Sequence, residues 1–253
     1  MALDSQKVKR DNILRHDVEG EYYDNIFNIK TCSKYGSIIN SELSFAGIDA
    51  SKKILVLDAA CGTGKISLNL KAFGSKALIV NCDISSKILR VATNKSKKYG
   101  FYNDTFWLRC DCENLPLKDN AFDLVICSSS LHHFPNYLSF MRESRRILKP
   151  NGYLAVLEEP NRLGIMLVGA IGAVLNQLGE ALGRGSGSSL DQRTSKALLE
   201  MRKNPRELKT DPYMFTLNEL VSAGYSAGFR RVLTKAETFF SYFIFFFMKG
   251  FFP

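Results

Sequence analysis

The sequence is poor in the residues that usually build metal centres and disulfide scaffolds. It contains three histidines without HxH or HxxxH spacing and six cysteines without the spacing of zinc ligands. At 253 residues the chain is also much longer than the small secreted domains that depend on disulfides. We therefore expect reduced thiols and no metal site.

Apolar runs long enough to cross a bilayer, which takes about 20 residues, are also missing. The two most apolar segments are residues 163–175, LGIMLVGAIGAVL, and residues 239–248, FFSYFIFFFM. We interpret the first as a buried or cleft-covering helix and the second as a buried strand, and leave a monotopic contact with lipid open for both. The N-terminal MALDSQKVKRDN lacks the apolar segment of a secretory signal. The predicted location is cytoplasmic, either free or peripheral at a membrane.

Concentrated basic tracts are absent, although the formal net charge is +9. Lysine and arginine are spread in small groups, which are typical of solvated helix faces, and no recognised nucleic-acid motif is present. A nucleic-acid partner is therefore not expected. With 45% hydrophobic residues, the chain can bury the core of one elaborated domain.

The middle of the chain contains a regular alternation of short apolar runs and helix-like segments. This order predicts an α/β fold with a mostly parallel sheet and helices on both faces. Two more strands are expected after a helix that begins with a capping box at Thr216 and Glu219. The predicted strands cover residues 54–57, 77–82, 105–109, 122–127, 152–157, 230–238 and 240–248.

Residues 54–65, ILVLDAACGTGK, join a predicted buried strand to a turn of small residues. The apolar run ends at Asp58, and Ala60, Gly62 and Gly64 follow at alternate positions. Small residues there let the backbone turn sharply and bring its N–H groups close to a ligand. Alone, the pattern also fits an ordinary strand-to-helix loop.

An aspartate follows each of the first three predicted strands: Asp58, Asp83 and Asp111. The carboxyl ends of parallel strands line the binding crevice of an open α/β sheet, although any one of these residues could instead cap a helix. Asp83 lies about 20 residues beyond the glycines, the separation at which a carboxylate accepts ribose hydroxyls. A nicotinamide or flavin dinucleotide is a second candidate ligand. However, Ser67 departs from its glycine fingerprint, and Asp58 would repel a pyrophosphate.

Four segments occur in order over about residues 54–160: VLDAACGTGK, CDIS, DCENLPLKDNAFDLVICSSSLHHF and RILKPNGYLAVLEEPN. Together they resemble the motifs of class I S-adenosylmethionine-dependent methyltransferases, in particular the type 11-like group that acts on small molecules and lipids. The resemblance implies a Rossmann-like, seven-stranded, mostly parallel sheet with an antiparallel last strand. It also implies S-adenosylmethionine as the cofactor. The chain departs from the family at Ala60, where glycine is more common.

The resemblance also implies a role for each matching residue. Asp58 would orient the methionine ammonium, Asp83 would hold the ribose hydroxyls, and Asp111 would accept from the adenine amino group. Residues 15–27 resemble a lid over the cofactor, although aromatic packing of a docked helix is an alternative for its tyrosines. The other implied cofactor contacts are Ala60, Gly62 and Gly64 beneath the ligand, Ile84 and Cys112 against the base, Ser128 near the methionine end, and Tyr23 from the lid.

A hydroxyl acceptor would require a base, and the candidates follow the fourth and fifth predicted strands. They are His132 and His133, with Glu158 and Glu159 as second candidates. LHHF recurs in this family regardless of the acceptor, so a structural or cofactor-packing role is an equal alternative for the histidines. Either glutamate could instead pair with an arginine or cap a helix.

We interpret the chain as one methyltransferase domain with four parts. These are lid helices (1–50), a cofactor-binding core (51–160), an acceptor-side helical insert (161–215) and a C-terminal helix with strands (216–253). The predicted function is methyl transfer to a small-molecule acceptor that is hydrophobic or linked to a lipid or sugar, because the insert and C-terminus are apolar. The alternative is a non-catalytic module that binds S-adenosylmethionine. A nucleic-acid methyltransferase is disfavoured, because Ser128-Ser129-Ser130 stands where the motif that holds a flipped base would lie.

Overall fold

The computed structural model describes residues 4–20, 24, 31, 33–160, 212–238 and 241–248. Tyr23 lies outside the described residues. So do residues 161–211, which are most of the predicted acceptor-side insert. The boundaries of the four predicted parts therefore remain predictions.

Seven strands of the described chain form one sheet in the order β3-β2-β1-β4-β5-β7-β6. The first five are parallel, while β7 pairs antiparallel with β5 on one side and with β6 on the other. The predicted parallel α/β class is confirmed. The strands are β1 (Leu55–Ala59), β2 (Leu78–Asp83), β3 (Thr105–Arg109), β4 (Phe122–Ser128), β5 (Leu148–Pro160), β6 (Arg231–Thr238) and β7 (Ser241–Phe247).

The central strands are buried on both faces, which explains their continuous apolar runs. In β1, Val56 packs into the apolar cluster on one face of the sheet and Leu57 into the cluster on the other. The same alternation recurs in β4 with Leu124 and Val125. The first cluster includes side chains of α2 and α3, and the second includes side chains of α5 and α6.

The described helices begin near the positions that capping residues predict. Ser85 Oγ accepts a hydrogen bond from Ile88 N at 3.2 Å, and Thr216 and Glu219 form the expected capping box. None of these helices combines the length and apolarity needed to cross a bilayer. They are α1 (Ser5–Glu19), α2 (Ser33–Phe45), α3 (Lys65–Ala72), α4 (Ser86–Lys98), α5 (Tyr137–Ile147) and α6 (Leu217–Ser226).

Two boundaries differ from the prediction. Strand β1 continues through Asp58 to Ala59, so this carboxylate belongs to the strand rather than to the turn after it. Strand β5 begins at Leu148 and not at residue 152, so residues 150–152 lie within it. Pairing jumps there from Leu148 to Tyr153 while β4 advances only from Phe122 to Leu124. The proline and glycine are accommodated as an irregularity in the ladder.

Helices α2 and α3 approach closely at Gly36. A Cβ atom built there would lie 2.0 Å from the carbonyl oxygen of Asn69 and 2.6 Å from Cβ of Phe73. We expect Gly36→Ala to lower the free energy of unfolding by about 1–3 kcal/mol, because backbone must move to make room. Urea denaturation followed by circular dichroism measures this change.

Ser37→Ala, at an exposed position of the same helix, is the matched control and should change stability by less than about 0.5 kcal/mol. Equal stability of the two variants would contradict the close approach of these helices.

Candidate active site

A cavity of about 310 Å³ opens at the carboxyl-terminal ends of β1 to β4. Ligand pockets commonly have volumes of about 300–1,000 Å³. One wall comes from α1, which contributes Lys9, Asn12 and His16. Nine predicted site residues line this cavity: Asp58, Ala60, Gly62, Asp83, Ile84, Asp111, Cys112, Ser128 and His133.

The turn after β1 contains three residues in the left-handed region, Ala60 (φ 51°), Gly62 (φ 54°) and Gly64 (φ 79°). This conformation costs an alanine about 1–2 kcal/mol, which is why glycine suits such positions better. A Cβ atom at Gly62 would have no neighbour closer than 3.9 Å, so the backbone there is open to the cavity.

Gly64 differs from its predicted role, because it is not among the residues that line the cavity. A Cβ atom there would lie 3.2 Å from Leu68 and from Trp107. Gly64 thus permits the turn and the close packing of α3, and its importance comes from conformation and packing.

Asp58 and Asp83 are carboxylates that the protein buries beside the cavity, with only 1% and 7% of their surfaces exposed. Burial raises the pKa of Asp58 to about 7, and the charge of Asp83 adds to the shift despite a hydrogen bond from Ser67 N. Burial also raises the pKa of Asp83 to about 6. Both side chains would gain from a ligand that supplies positive charge or hydroxyl donors.

Asp83 also connects the turn to the next strand and helix. Its Oδ2 accepts from Gly62 N at 3.0 Å, and its Oδ1 accepts from Ser85 N at 2.9 Å. Ser85 Oγ in turn donates to Asp17 in α1 at 2.6 Å. The carboxylate therefore positions the turn, the start of α4 and the N-terminal helix together.

Asp111 is engaged by a partner that the sequence analysis missed. Lys9 Nζ in α1 lies 2.7 Å from Asp111 Oδ2 and 2.5 Å from Glu113 Oε2. Asp111 Oδ1 accepts from Glu113 N at 2.9 Å. Burial opposes the charge of Lys9, but its hydrogen bonds to the two acids outweigh that effect and raise its pKa. An adenine amino group at Asp111 must therefore share the carboxylate with Lys9.

His132 and Glu159 do not line the cavity, so the geometry gives neither of them the predicted role of a base. Glu159 is fully buried and accepts from Leu131 N at 3.1 Å and His132 N at 3.0 Å. Its Oε1 also lies 2.5 Å from His132 Nδ1. Together they fix the short helical turn at Leu131–His133, which places the neighbouring His133 at the cavity.

Glu158 belongs to a polar cluster, here called the Glu158 cluster, that contains Tyr35, Lys65, Ser128 and Glu158. Lys65 Nζ lies 2.7 Å from Glu158 Oε2, Ser128 Oγ donates to the same oxygen at 2.8 Å, and Tyr35 Oη donates to Oε1 at 2.5 Å. Burial opposes ionisation, but the charge of Lys65 and these hydrogen bonds lower the pKa of Glu158. Lys65 and Ser128 both line the cavity.

The backbone of Glu158 adopts a left-handed conformation with φ 55°, and the pairing of β5 with β7 shifts between Val156 and Glu159. This local irregularity separates the environments of two consecutive glutamates. Backbone strain of about 1–3 kcal/mol at a non-glycine residue often marks a functional site. Sequence periodicity could not reveal it, because a regular strand was predicted to end at residue 157.

The donors and acceptors at the cavity fit a ligand with an ammonium group and hydroxyls. The two lysines among its described lining residues, Lys9 and Lys65, are paired with carboxylates, while Asp58 and Asp83 add further negative charge. A pyrophosphate would meet these acids unfavourably. Among the described residues, no group of three or more histidine, cysteine or acidic side chains is arranged to hold a metal ion.

Comparison with known proteins identifies the sequence family. Residues 57–156 match the family described as "Methyltransferase domain". Over 105 residues the chain is 33% identical to the ubiquinone/menaquinone biosynthesis C-methyltransferase UbiE of Blochmanniella pennsylvanica, covering 41% of each chain. Over 159 residues it is 30% identical to the demethylmenaquinone methyltransferase of Staphylococcus saprophyticus, covering 62% of this chain and 66% of the relative. The chain thus spans between 41% and 66% of the length of these curated relatives.

A solved structure shares the fold over nearly the whole chain. It is a Methanococcus maripaludis protein provisionally assigned as an S-adenosyl-L-methionine-dependent methyltransferase, with a TM-score of 0.61 and 18% identity. The alignment covers 91% of this chain and 92% of that one. This likeness shows a shared α/β fold, and the cavity of this chain lies at the carboxyl ends of its strands.

The sequence match narrows the assignment for one part of the chain. Residues 57–156 are similar to the methyltransferase domain family, and the relatives and the shared fold agree with the class I type that uses S-adenosylmethionine.

Proposed function

We propose that this protein transfers the methyl group of S-adenosylmethionine to a ring carbon of a reduced quinone or a closely related phenolic acceptor. The observation that carries the cofactor half is the convergence of Asp58, Asp83 and Asp111 on one cavity at adjacent strand ends. The acceptor half is supported by the names of two relatives, a ubiquinone/menaquinone biosynthesis C-methyltransferase and a demethylmenaquinone methyltransferase.

The cofactor lies along the strand ends in this proposal. Asp58 pairs with the methionine ammonium, Asp83 accepts the ribose hydroxyls, and Asp111 accepts from the adenine amino group beside Lys9. Ile84 and Cys112 pack against the base, and Ala60 and Gly62 lie beneath the ligand. These roles agree with the chemistry of the side chains, since buried carboxylates favour an ammonium and hydroxyl donors.

The bound sulfonium supplies a methyl group with a good leaving group already attached, so the protein mainly positions the acceptor and favours its nucleophilic form. A phenolic ring carbon becomes more nucleophilic when the ring hydroxyl ionises. The Lys65 ammonium stabilises that oxyanion, and Glu158 positions Lys65 and Ser128 at the cavity. Of the two predicted histidines, His133 is the one that lines the cavity, and it is the candidate for proton removal.

A non-catalytic module of the same fold is the second candidate. The burial of Asp58 and Asp83 next to a cavity supports retained cofactor binding, which both candidates share. The Glu158 cluster favours catalysis, because cofactor binding alone does not require a four-membered polar cluster with backbone strain at Glu158 beside the cavity.

Cofactor affinity should depend on pH through Asp58. Burial raises its pKa to about 7, so the free protein holds a proton there that the ammonium must displace. Affinity should therefore rise with pH, by about five- to tenfold between pH 6 and 7, while the cofactor's own amino group stays protonated. Calorimetry with S-adenosylhomocysteine measures this dependence.

Asp58→Asn should bind S-adenosylhomocysteine more weakly and lose most of the dependence of affinity on pH. Asp49 is an exposed acid away from the cavity, so Asp49→Asn should behave as the native protein does. An unchanged slope in Asp58→Asn would contradict the role of Asp58.

The acceptor proposal is tested with a short-chain demethylmenaquinol as the substrate. The native protein should form S-adenosylhomocysteine together with a product methylated at the ring carbon, as determined by nuclear magnetic resonance. Lys65→Met should lower kcat by about 10²-fold and shift the pH profile upward, because the ring hydroxyl loses its stabilising cation.

Lys65→Arg, which keeps the charge, should recover part of the rate, and the affinity for S-adenosylhomocysteine should change little in either variant. A product methylated on oxygen would contradict the ring-carbon proposal. Absence of turnover with intact cofactor binding would instead favour the non-catalytic module.

A further inference from the structure

Three cysteine thiols meet beside the cavity, and the proposed function does not use them as a group. Cys82 Sγ and Cys112 Sγ lie 3.4 Å apart, and the partly buried Cys110, two residues before Cys112, packs against the same apolar cluster. We call these three residues the thiol cluster.

The parallel pairing of β2 with β3 brings the cluster together. Cys82 pairs with Leu108 in the register of the sheet, and Cys110 and Cys112 follow at two-residue steps. All three side chains join the apolar cluster on the same face as Leu57. The spacing of Cys110 and Cys112 therefore places both thiols near that of Cys82 from the neighbouring strand.

The cavity gives access to part of this cluster. Cys110 and Cys112 line it, whereas Cys82 is fully buried behind them. Cys110 is the least buried of the three, so a small reagent that enters the cavity meets it first. In the proposed function the adenine would cover this wall, because Cys112 and Asp111 lie next to each other.

The hydrogen bonds also distinguish Cys110 chemically. Hydrogen bonds from the thiols of Cys112 and Cys82 lower its pKa, although burial and the charge of Asp111 oppose the shift. Hydrogen bonding to Cys110 and burial raise the pKa values of Cys82 and Cys112. The cluster thus favours one thiolate with two thiol donors, and the thiolate is the reactive form of cysteine.

We propose that Cys82, Cys110 and Cys112 form a peroxide-sensitive modification site, in which Cys110 is oxidised first and one of its two thiol neighbours then closes a disulfide. The Cys110 thiolate attacks one oxygen of hydrogen peroxide, the O–O bond breaks, and sulfenic acid and hydroxide form. The neighbouring thiol attacks the sulfenic sulfur as its proton passes to the departing hydroxide, so an S–S bond forms, the S–O bond breaks and water leaves. In total, two thiols are oxidised and one peroxide is reduced to two waters.

The modification should compete with the cofactor. A disulfide requires the sulfur atoms to approach to about 2.05 Å, so the wall formed by Cys110 and Cys112 must move. Conversely, a ligand on that wall should shield Cys110 from peroxide. Only this protection rests on the proposed function, and formation of the disulfide does not depend on it.

The test treats the full chain with a small excess of hydrogen peroxide and follows intact mass, thiol count and peptide maps. We expect a loss of about 2 Da, reversed by dithiothreitol, and a disulfide that joins Cys110, or after exchange Cys82, to another member of the cluster. The number of thiols alkylated in denaturant should fall by two from the six in the sequence. Oxidised protein should bind S-adenosylhomocysteine at least about tenfold more weakly.

Cys110→Ser should slow disulfide formation by about tenfold or more, because the accessible thiolate is removed. Cys61→Ser is the matched control, since Cys61 lines the same cavity outside the cluster, and it should leave the oxidation rate unchanged. If Cys110→Ser does not fold, the peptide map of the oxidised native protein still decides which cysteines react.

Oxidation that stops at sulfinic acid, or a disulfide that involves Cys61, would overturn the proposal. A disulfide that forms normally in a protein unable to bind S-adenosylhomocysteine would leave the thiol site standing and contradict the proposed function instead. The oxidation rate is also compared with and without saturating S-adenosylhomocysteine, whose binding is verified by calorimetry. Equal rates would overturn the placement of the adenine over the thiol cluster.

Discussion

The carboxylate of Asp83 is the contact on which the geometry of the site depends. One oxygen accepts from Gly62 N in the left-handed turn, and the other accepts from Ser85 N at the start of α4. Through Ser85 the same chain of hydrogen bonds reaches Asp17 in α1, which forms a wall of the cavity. A single buried acid thus connects the turn, the second strand and the N-terminal helix.

Burial of these acids is also unfavourable for their charged forms unless a ligand compensates the charge. The pKa values of Asp58 and Asp83 rise to about 7 and about 6, because the interior disfavours their charged forms. A cofactor that carries an ammonium and hydroxyls would offset this penalty, whereas a dinucleotide would increase it. In β5, the left-handed backbone at Glu158 directs two consecutive glutamates into different environments, one around Lys65 and one around His132.

The sequence predicts the parts of the fold and site that local patterns encode. Apolar runs mark buried strands, small residues mark the turn after β1, and aspartates at strand ends mark the cavity. The contact of Lys9 with Asp111 could not be predicted, because 102 residues separate the two and no periodicity relates them. Nor could the roles of Glu158 and Glu159 be assigned, since they follow from one backbone torsion angle and from the packing of Glu159 under the turn at Leu131–His133.

The most direct test of this account is the calorimetric affinity of Asp83→Asn for S-adenosylhomocysteine, with Asp119→Asn as the control at an exposed acid. Loss of a charged hydrogen-bond acceptor predicts binding about ten- to hundredfold weaker, in a variant whose circular dichroism confirms that it is folded. Affinity equal to that of the native protein in folded Asp83→Asn would contradict the claim that the buried acids at the strand ends hold the cofactor.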